Sequence, residues 1–142
     1  MARGPPDAYC LCRYRNTLPD TDVISIVDDD ESVREATKGL VRSLGFEAAT
    51  FASAEEYLQS GNVRNTSCLI TDVQMPGMTG VDLQDHLIAR GHRTPVVFIT
   101  AYPEQQTRDR ALKAGAVGFL KKPFSDEQLI ACLSDALGSE IA

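Results

Sequence analysis

Aspartate side chains follow two short apolar segments of the chain, at the point where each segment ends. Three aspartates in a row, beginning with Asp28, come directly after residues 23–27, and Asp72 comes directly after residues 68–71. A short apolar run between polar residues predicts a buried strand, and parallel strands present their carboxyl ends at one edge of a sheet. Crowded carboxylates repel each other unless a cation lies among them, and oxygen-only ligands suit Mg²⁺ or Mn²⁺. The sequence therefore predicts a divalent metal site at this edge.

Two further polar side chains lie at the ends of apolar segments. Thr100 ends the segment 95–100, and Lys122 comes just after the segment 117–120. A Lys ammonium and a Thr hydroxyl beside a metal-bound acidic cluster suit a transferring phosphoryl group, whose oxygens need positive charge and hydrogen-bond donors. An Asp carboxylate can itself be the nucleophile and form an acyl phosphate. We therefore expect phosphoryl chemistry at the predicted edge.

Short apolar segments alternate with amphipathic segments of helical periodicity from Val23 onward. The predicted strands are 23–27, 47–51, 68–71, 95–100 and 117–120. The predicted helices are 32–44, 53–60, 80–90, 103–114 and a last one that ends at Gly138. This alternation predicts an α/β fold with a doubly wound, five-stranded parallel sheet of order 2-1-3-4-5 and helices on both faces. In that order the first, third, fourth and fifth strands are neighbours, so the polar residues at their ends converge on one pocket.

The predicted helices begin at recognisable signals. A serine followed three residues later by Glu or Gln predicts a capping box, and the pairs are Ser32 with Glu35, Ser53 with Glu56, and Ser125 with Gln128. Pro103 suits the first position of the fourth helix. In the third helix, four apolar side chains are predicted to face the core: Val81, Leu83, Leu87 and Ile88.

Composition and charge indicate one globular domain. We predict a flexible amino-terminal extension over residues 1–22, where Gly and Pro are frequent, then a domain over 23–138 and a tail over 139–142. A net charge of −6 disfavours direct binding of nucleic acid, because phosphate backbones are bound mainly by Lys and Arg. No segment has the apolar length of a membrane span or the core of a signal peptide, so we expect a cytoplasmic protein without membrane contact.

The four cysteines do not have the spacing of a complete metal site. Cys10 and Cys12 are close together, but no second pair completes the set of ligands. We predict that Cys68 and Cys132 are free thiols that serve as small apolar residues.

The chain resembles the receiver domain of two-component response regulators over residues 23–138. This family has a flavodoxin-like, CheY-like fold. The resemblance is carried by four segments: Ile26-Val27-Asp28-Asp29-Asp30, Thr71-Asp72-Val73-Gln74-Met75-Pro76-Gly77-Met78-Thr79-Gly80, Thr100-Ala101 and Phe119-Leu120-Lys121-Lys122-Pro123-Phe124. The central segment is similar to that of the nitrogen-fixation and nodulation class, many of whose members carry a DNA-binding output domain.

The resemblance implies a role for each residue of the pocket. Asp72 accepts a phosphoryl group from a phosphohistidine on a sensor histidine kinase or a phosphotransfer protein. Asp29 and Asp72 ligate Mg²⁺ directly, for which Mn²⁺ can substitute, with the backbone carbonyl of Gln74 as a third ligand, while Asp28 acts largely through water. Lys122 pairs with the phosphoryl oxygens. Lys121 is its neighbour on the same strand, and because side chains alternate in direction along a strand, only one of the two can reach the pocket.

The resemblance also implies a switch. Phosphorylation adds negative charge at Asp72 and draws the Thr100 hydroxyl inward, and an aromatic side chain, here Phe119, then moves into the vacated space. The change would be displayed on the face of the fourth helix, fifth strand and fifth helix, and could support a homodimer. On this interpretation the domain is a phosphoacceptor and not an enzyme, apart from its self-phosphorylation from a donor and its autodephosphorylation.

Two other interpretations use the same features. A Mg²⁺-dependent phosphohydrolase also forms an aspartyl phosphate, but no second Asp lies two residues after Asp72 to act as acid and base. A flavin-binding module would need a loop rich in Ser, Thr and Gly after the first strand, where this chain has aspartates.

Overall fold

The structure, a computed structural model, describes residues 22–138. The predicted tail, the predicted extension up to residue 21, and Cys10 and Cys12 within it lie outside the described residues. Five strands alternate with five helices along the described part of the chain. The strands are β1 Val23–Val27, β2 Glu47–Phe51, β3 Cys68–Asp72, β4 Val96–Thr100 and β5 Gly118–Lys121. The helices are α1 Glu31–Ser43, α2 Ala54–Gln59, α3 Gly80–Ala89, α4 Gln105–Lys113 and α5 Asp126–Leu137.

All five strands are parallel and lie in the order β2-β1-β3-β4-β5, which confirms the predicted topology. Every residue of β3 and β4 is buried. Such central strands are covered by helices on both faces, which explains why they are nearly continuous apolar runs in the sequence. The order places the carboxyl ends of β1 and β3 side by side at the point where the chain changes direction across the sheet.

An apolar core lies on each face of the sheet. Helices α1 and α5 pack on one face, where Val41 and Leu129 join the isoleucines of β1, β3 and β4. The other three helices pack on the opposite face, where Tyr57 and Leu83 join Phe98. Met75 and the partly buried Met78 pack against this second core as well. Helices therefore pack against both faces of the sheet, and this packing fixes the positions of the carboxyl ends of the strands.

The first two helices begin differently from the predictions. The cap of α1 is Asp30, whose Oδ1 accepts hydrogen bonds from the amides of Ser32 (2.9 Å) and Val33 (3.3 Å). The predicted Ser32–Glu35 box is wrong because this carboxylate, one of the best N-cap groups, already takes the Ser32 amide. At α2 the Ser53 cap is confirmed, but Glu56 Oε1 accepts from the amide of Ala52, one residue before the expected donor.

A capping box that was not predicted begins α3. Thr79 Oγ1 accepts from the Asp82 amide at 3.1 Å, and Asp82 Oδ2 accepts from the Thr79 amide at 3.3 Å. Aspartate here takes the place of the longer Glu or Gln of the predicted capping boxes. The predicted Ser125–Gln128 box of α5 is confirmed in both of its hydrogen bonds, and α5 ends at Gly138, whose φ is 68°.

Two other predictions for the helices are wrong. Ile88 is 49% exposed, because the inward face of α3 is filled by Gln84, whose Nε2 donates to the carbonyl oxygen of Ala111 at 3.2 Å. Helix α4 begins at Gln105 and leaves Pro103 in the preceding loop. In that loop Thr100 Oγ1 accepts from the Tyr102 amide at 3.1 Å, which holds the chain in a turn before a helix can start.

Cys68 and Cys132 are free and buried, as predicted. Burial raises the pKa of the Cys68 thiol to about 12, which keeps it protonated and unreactive at neutral pH. Within residues 22–138, none of the helices has the length and apolar character required to cross a bilayer.

Candidate functional site

Three carboxylates meet where β1 and β3 end. Asp28 directly follows β1 and is fully buried, Asp72 is the last residue of β3 and is 6% exposed, and Asp29 is exposed. The parallel register pairs Val27 with Thr71, so the next residue of each strand falls side by side. One carboxylate oxygen from each aspartate lies within 4.8 Å of the other two. The structure thus brings together the acidic residues that the sequence singled out.

The donor set fits a hard divalent cation. Asp28 Oδ1 accepts from the Asp30 amide at 2.9 Å, but the buried Oδ2 has no hydrogen-bond partner of good geometry within the described residues. Burial, and after it the charge of Asp28, raises the pKa of Asp72 above its ordinary value, although Lys122 acts in the opposite direction. The cluster therefore carries excess negative charge, and its carboxylate oxygens can accept further hydrogen bonds or bind a cation. Carboxylate oxygens with room for water are the ligands that Mg²⁺ takes in proteins.

Lys122 is the one side-chain cation that the described residues place against this cluster. Its Nζ lies 3.0 Å from Asp28 Oδ2 and 3.2 Å from Asp72 Oδ2. Burial alone would lower the pKa of this ammonium, but the two carboxylates outweigh that effect and raise the pKa above its ordinary value. Lys121, the last residue of β5, is exposed, whereas Lys122 follows the strand and is partly buried. The peptide bond between Lys122 and Pro123 is cis.

Thr100 lies at the end of β4 and Phe119 on β5, and within the described residues Thr100 forms no hydrogen bond to Asp72. Thr100 is fully buried at the end of β4, and its hydroxyl oxygen is engaged by the Tyr102 amide. Phe119 is half-buried on β5, and its ring packs against Phe98 with centroids 6.0 Å apart. Their predicted roles in the switch stay predictions.

The loop after β3 is closed tightly around Asp72. The Gly80 amide donates to the carbonyl oxygen of Val73 at 2.9 Å, and the amide of the exposed Gln74 donates to Asp72 Oδ1 at 3.3 Å. A Cβ atom at Gly80 would lie 2.2 Å from the carbonyl oxygen of Asp72. The helix that follows β3 can approach the strand this closely only because residue 80 has no side chain.

Two residues that the sequence did not single out hold the backbone around the cluster. Arg34, on α1, donates from Nη1 to the carbonyl oxygen of Asp28 at 2.8 Å. Glu55, on α2, accepts through Oε2 from the Met78 amide at 3.0 Å. Each contact joins a helix to a loop of the site. Such a contact depends on how the helices pack, so no sequence motif indicates it.

Replacement of Glu55 by Ala is expected to loosen the loop after β3. A hydrogen bond of this kind contributes about 1 kcal/mol, so we expect the Met78 amide to exchange with solvent roughly fivefold faster in native-state hydrogen exchange. Glu55→Gln keeps an acceptor oxygen and should preserve most of the protection. Glu56→Ala is the matched control, because Glu56 bonds to Ala52 and not to this loop. Equal Met78 exchange rates in Glu55→Ala and Glu56→Ala would contradict the anchoring role.

Comparison with known proteins gives a consistent result. A family model described as response regulator receiver domain matches residues 24–134. The response regulator protein TodT of Pseudomonas putida is 40% identical over 133 residues, which are 93% of this chain and 59% of that protein. Nodulation protein W of Bradyrhizobium diazoefficiens is 43% identical over 108 residues, 76% of this chain and 48% of that protein.

The solved structure of FixJ-N is 35% identical and superposes with a TM-score of 0.74, over 85% of this chain and 97% of that one. Because the shares of TodT and nodulation protein W are 59% and 48%, the chain spans about half the length of these curated relatives.

Proposed function

Because the chain belongs to the response regulator receiver domain family of two-component systems, we propose that Asp72 is its phosphoacceptor and that the phosphorylated domain transmits the signal. The observation that carries the proposal is the position of Asp72, at the strand edge, between two other carboxylates and the ammonium of Lys122. A carboxylate in this position can attack phosphorus while positive charge stabilises the phosphoryl oxygens.

In the proposed reaction an Asp72 carboxylate oxygen attacks the phosphorus of a phosphohistidine on a sensor histidine kinase or a phosphotransfer protein. The new O–P bond forms as the N–P bond breaks, and the imidazole leaves with the electron pair and takes up a proton. Lys122 Nζ, which contacts Asp72 Oδ2 in this structure, would pair with a phosphoryl oxygen in the product. Asp28, on the other side of the ammonium, keeps it in place before the donor arrives.

The cluster would hold Mg²⁺ through Asp29, Asp72 and the backbone carbonyl of Gln74, with Asp28 acting largely through water. When bound, the ion would neutralise negative charge that develops on the transferring phosphoryl oxygens. The buried Oδ2 of Asp28 supports this assignment, because its contact within the described residues is the Lys122 ammonium and it can accept a further hydrogen bond from a metal-bound water.

The switch would run from Thr100 to Phe119. A phosphoryl oxygen is a strong acceptor, so the Thr100 hydroxyl would turn toward it and give up its bond to the Tyr102 amide. Phe119 would then move further inward, and the face formed by α4, β5 and α5 would change shape. A homodimer on this face is one outcome that size-exclusion chromatography of the phosphorylated protein would detect.

A surface for the phosphoryl donor lies next to the cluster. A cavity of about 510 Å³ adjoins Lys122 and is lined mainly by apolar side chains of α1 and of the loop before α5, among them Val33, Ala36, Leu40, Pro123 and Phe124. A donor histidine must reach Asp72 from outside, and an apolar groove beside the site can bind the helix that carries it. We propose that this groove binds the kinase.

Acetyl phosphate tests the proposed function directly. The protein is incubated with acetyl phosphate and Mg²⁺, and its intact mass is followed over time. We expect one phosphoryl group per chain, dependent on Mg²⁺ and lost slowly after removal of the donor. Rapid release of phosphate over many turnovers, with no adduct at any time, would instead identify a phosphohydrolase.

Lys122→Gln is expected to slow phosphorylation by acetyl phosphate about 100-fold, because it removes the positive charge that contacts Asp72. The reaction is measured as the initial rate of mass gain at saturating Mg²⁺. Lys121→Gln makes the same change one residue earlier, on an exposed side chain, and should react at the wild-type rate. Equal rates for the two variants would refute the assignment of Lys122.

A further inference from the structure

Two adjoining cavities open at the edge of the sheet opposite the acidic cluster. Their volumes are about 250 and 540 Å³, and they lie between the loop before β3 and the loop before β4. Both are lined by Val63, Arg64, Arg90 and His92. These shared residues make the two cavities a single groove with two lobes at the amino-terminal edge of the strands.

The groove is positively charged although the protein is acidic. The chain has 20 Asp and Glu against 14 Lys and Arg. Among the described residues no carboxylate lines either lobe, whereas Arg64, Arg90 and Arg93 line the larger one and His86 lines the smaller one. All three arginines are exposed. Within residues 22–138, the arginine side chains that form ion pairs or hydrogen bonds are those of Arg34 and Arg110, and neither lines the groove.

The dipole of α3 explains only part of this charge. Arg90 caps the carboxyl end of α3 and His86 lies in its last turn, where cations stabilise a helix. Arg64 belongs to the loop between α2 and β3, and Arg93 lies beyond Gly91, so neither is in that last turn. Their convergence with Arg90 on one lobe needs another explanation.

We propose that this groove binds a small molecule with two linked phosphoryl groups. Guanidinium groups bind phosphate through paired N–H donors, and three of them around one lobe supply more donors than one phosphoryl group can use. Thr94 lines the same lobe as well. The second lobe, with Arg64, Arg90, His86 and His92, places cationic and titratable groups where a second phosphoryl group would lie. This binding is separate from the phosphorylation of Asp72 and does not depend on it.

Binding of pyrophosphate to the full chain tests the proposal. Titration calorimetry is done in EDTA, so that metal-dependent binding at Asp72 is excluded, with sodium chloride added to equal ionic strength in every arm. We expect saturable binding of one pyrophosphate per chain, weaker binding of inorganic phosphate, and none of sulfate at the same concentration. Comparison of pyrophosphate with a nucleoside diphosphate distinguishes a free diphosphate from a nucleotide as the source of the groups. Equal heats for pyrophosphate and sulfate would overturn the proposal.

Variants separate ligand binding from stabilisation of the helix. Arg64→Gln and Arg93→Gln should each weaken pyrophosphate binding about tenfold and leave the thermal midpoint unchanged, since each removes charge-assisted hydrogen bonds. Arg42→Gln is the matched control, because Arg42 lies in the last turn of α1 and lines a different surface. If Arg64→Gln and Arg42→Gln bind pyrophosphate equally well, the proposal is wrong. Amide chemical shifts supply a second measurement, and changes confined to residues near Asp72 would also overturn it.

Discussion

Asp72→Asn is expected to abolish the gain of one phosphoryl mass on incubation with acetyl phosphate and Mg²⁺. The amide lacks the nucleophilic oxygen, and within residues 22–138 no other carboxylate occupies a strand edge in contact with Lys122 except Asp28, which is fully buried. Intact mass spectrometry measures the adduct, and peptide mapping locates it. A persistent label on another aspartate would refute the assignment of Asp72.

The matched control for this variant is Asp30→Asn. Asp30 is adjacent to the cluster in sequence, but its carboxylate caps α1 and Asn is an equally good cap. We therefore expect Asp30→Asn to accept a phosphoryl group at the wild-type rate. Loss of labelling in both variants would mean that the acidic loop, and not Asp72, determines reactivity.

The stability of Asp72→Asn shows whether the variant fails to be phosphorylated because it lacks the nucleophile or because it unfolds. Burial and the charge of Asp28 raise the pKa of Asp72, so the folded protein binds that proton more tightly than the unfolded chain does. The free energy of unfolding therefore falls as the pH rises from the unfolded pKa, about 3.9, through the raised folded value. Because Asn carries no charge, the variant should resist urea at neutral pH in EDTA at least as well as the wild type.

Gly80→Ala is expected to destabilise the protein by about 3 kcal/mol or more and to lower phosphorylation with it. The added methyl group would lie 2.2 Å from the carbonyl oxygen of Asp72, which is backbone and cannot rotate away. Overpacking of a tight contact costs about 1–3 kcal/mol where neighbours can adjust, and here either the strand end or the start of α3 must shift. Urea unfolding followed by circular dichroism measures the loss.

Gly39→Ala makes the same substitution at another glycine and is expected to raise the stability of the protein. Gly39 lies inside α1, and no atom of residues 22–138 outside its own helical backbone approaches within 4 Å of the position where its Cβ would be. Alanine should stabilise the helix by about 0.5–1 kcal/mol because glycine loses more backbone entropy on folding. If Gly80→Ala is as stable as the wild type while Gly39→Ala is stabilised as expected, the result would contradict the close approach of α3 to the end of β3.

The strands were predictable from the sequence almost residue by residue. β1 and β2 agree with their predicted bounds, and β3 differs by the inclusion of Asp72. The reason for the central strands β1, β3 and β4 is that a strand buried on both faces is mostly apolar, so its ends lie close to polar residues. Those polar residues are also the candidate site, which is why the convergence of Asp28, Asp72 and Lys122 followed from topology alone.

The helix ends and the supporting contacts were less predictable. Asp30 and Ser32 are both good caps, and only the course of the backbone decides between them. Gln84 faces inward and the predicted Ile88 does not, because the Gln84 amide donates to a carbonyl oxygen on α4. The bonds of Arg34 and Glu55 join parts of the chain whose distance depends on how helices pack. Such contacts follow from tertiary structure, which local periodicity does not encode.

The position of β5 at the border of the sheet has a consequence for aggregation. An edge strand exposes a row of unpaired backbone N–H and C=O groups, and a strand from another molecule can pair with them. β5 is only four residues long, and its last residue, Lys121, is exposed. A short border strand that ends in a charged side chain resists such addition, since the incoming strand would bury an unpaired ammonium. Lys121, which has no part in the proposed phosphoryl chemistry, thus helps to keep β5 from pairing with a strand of another molecule.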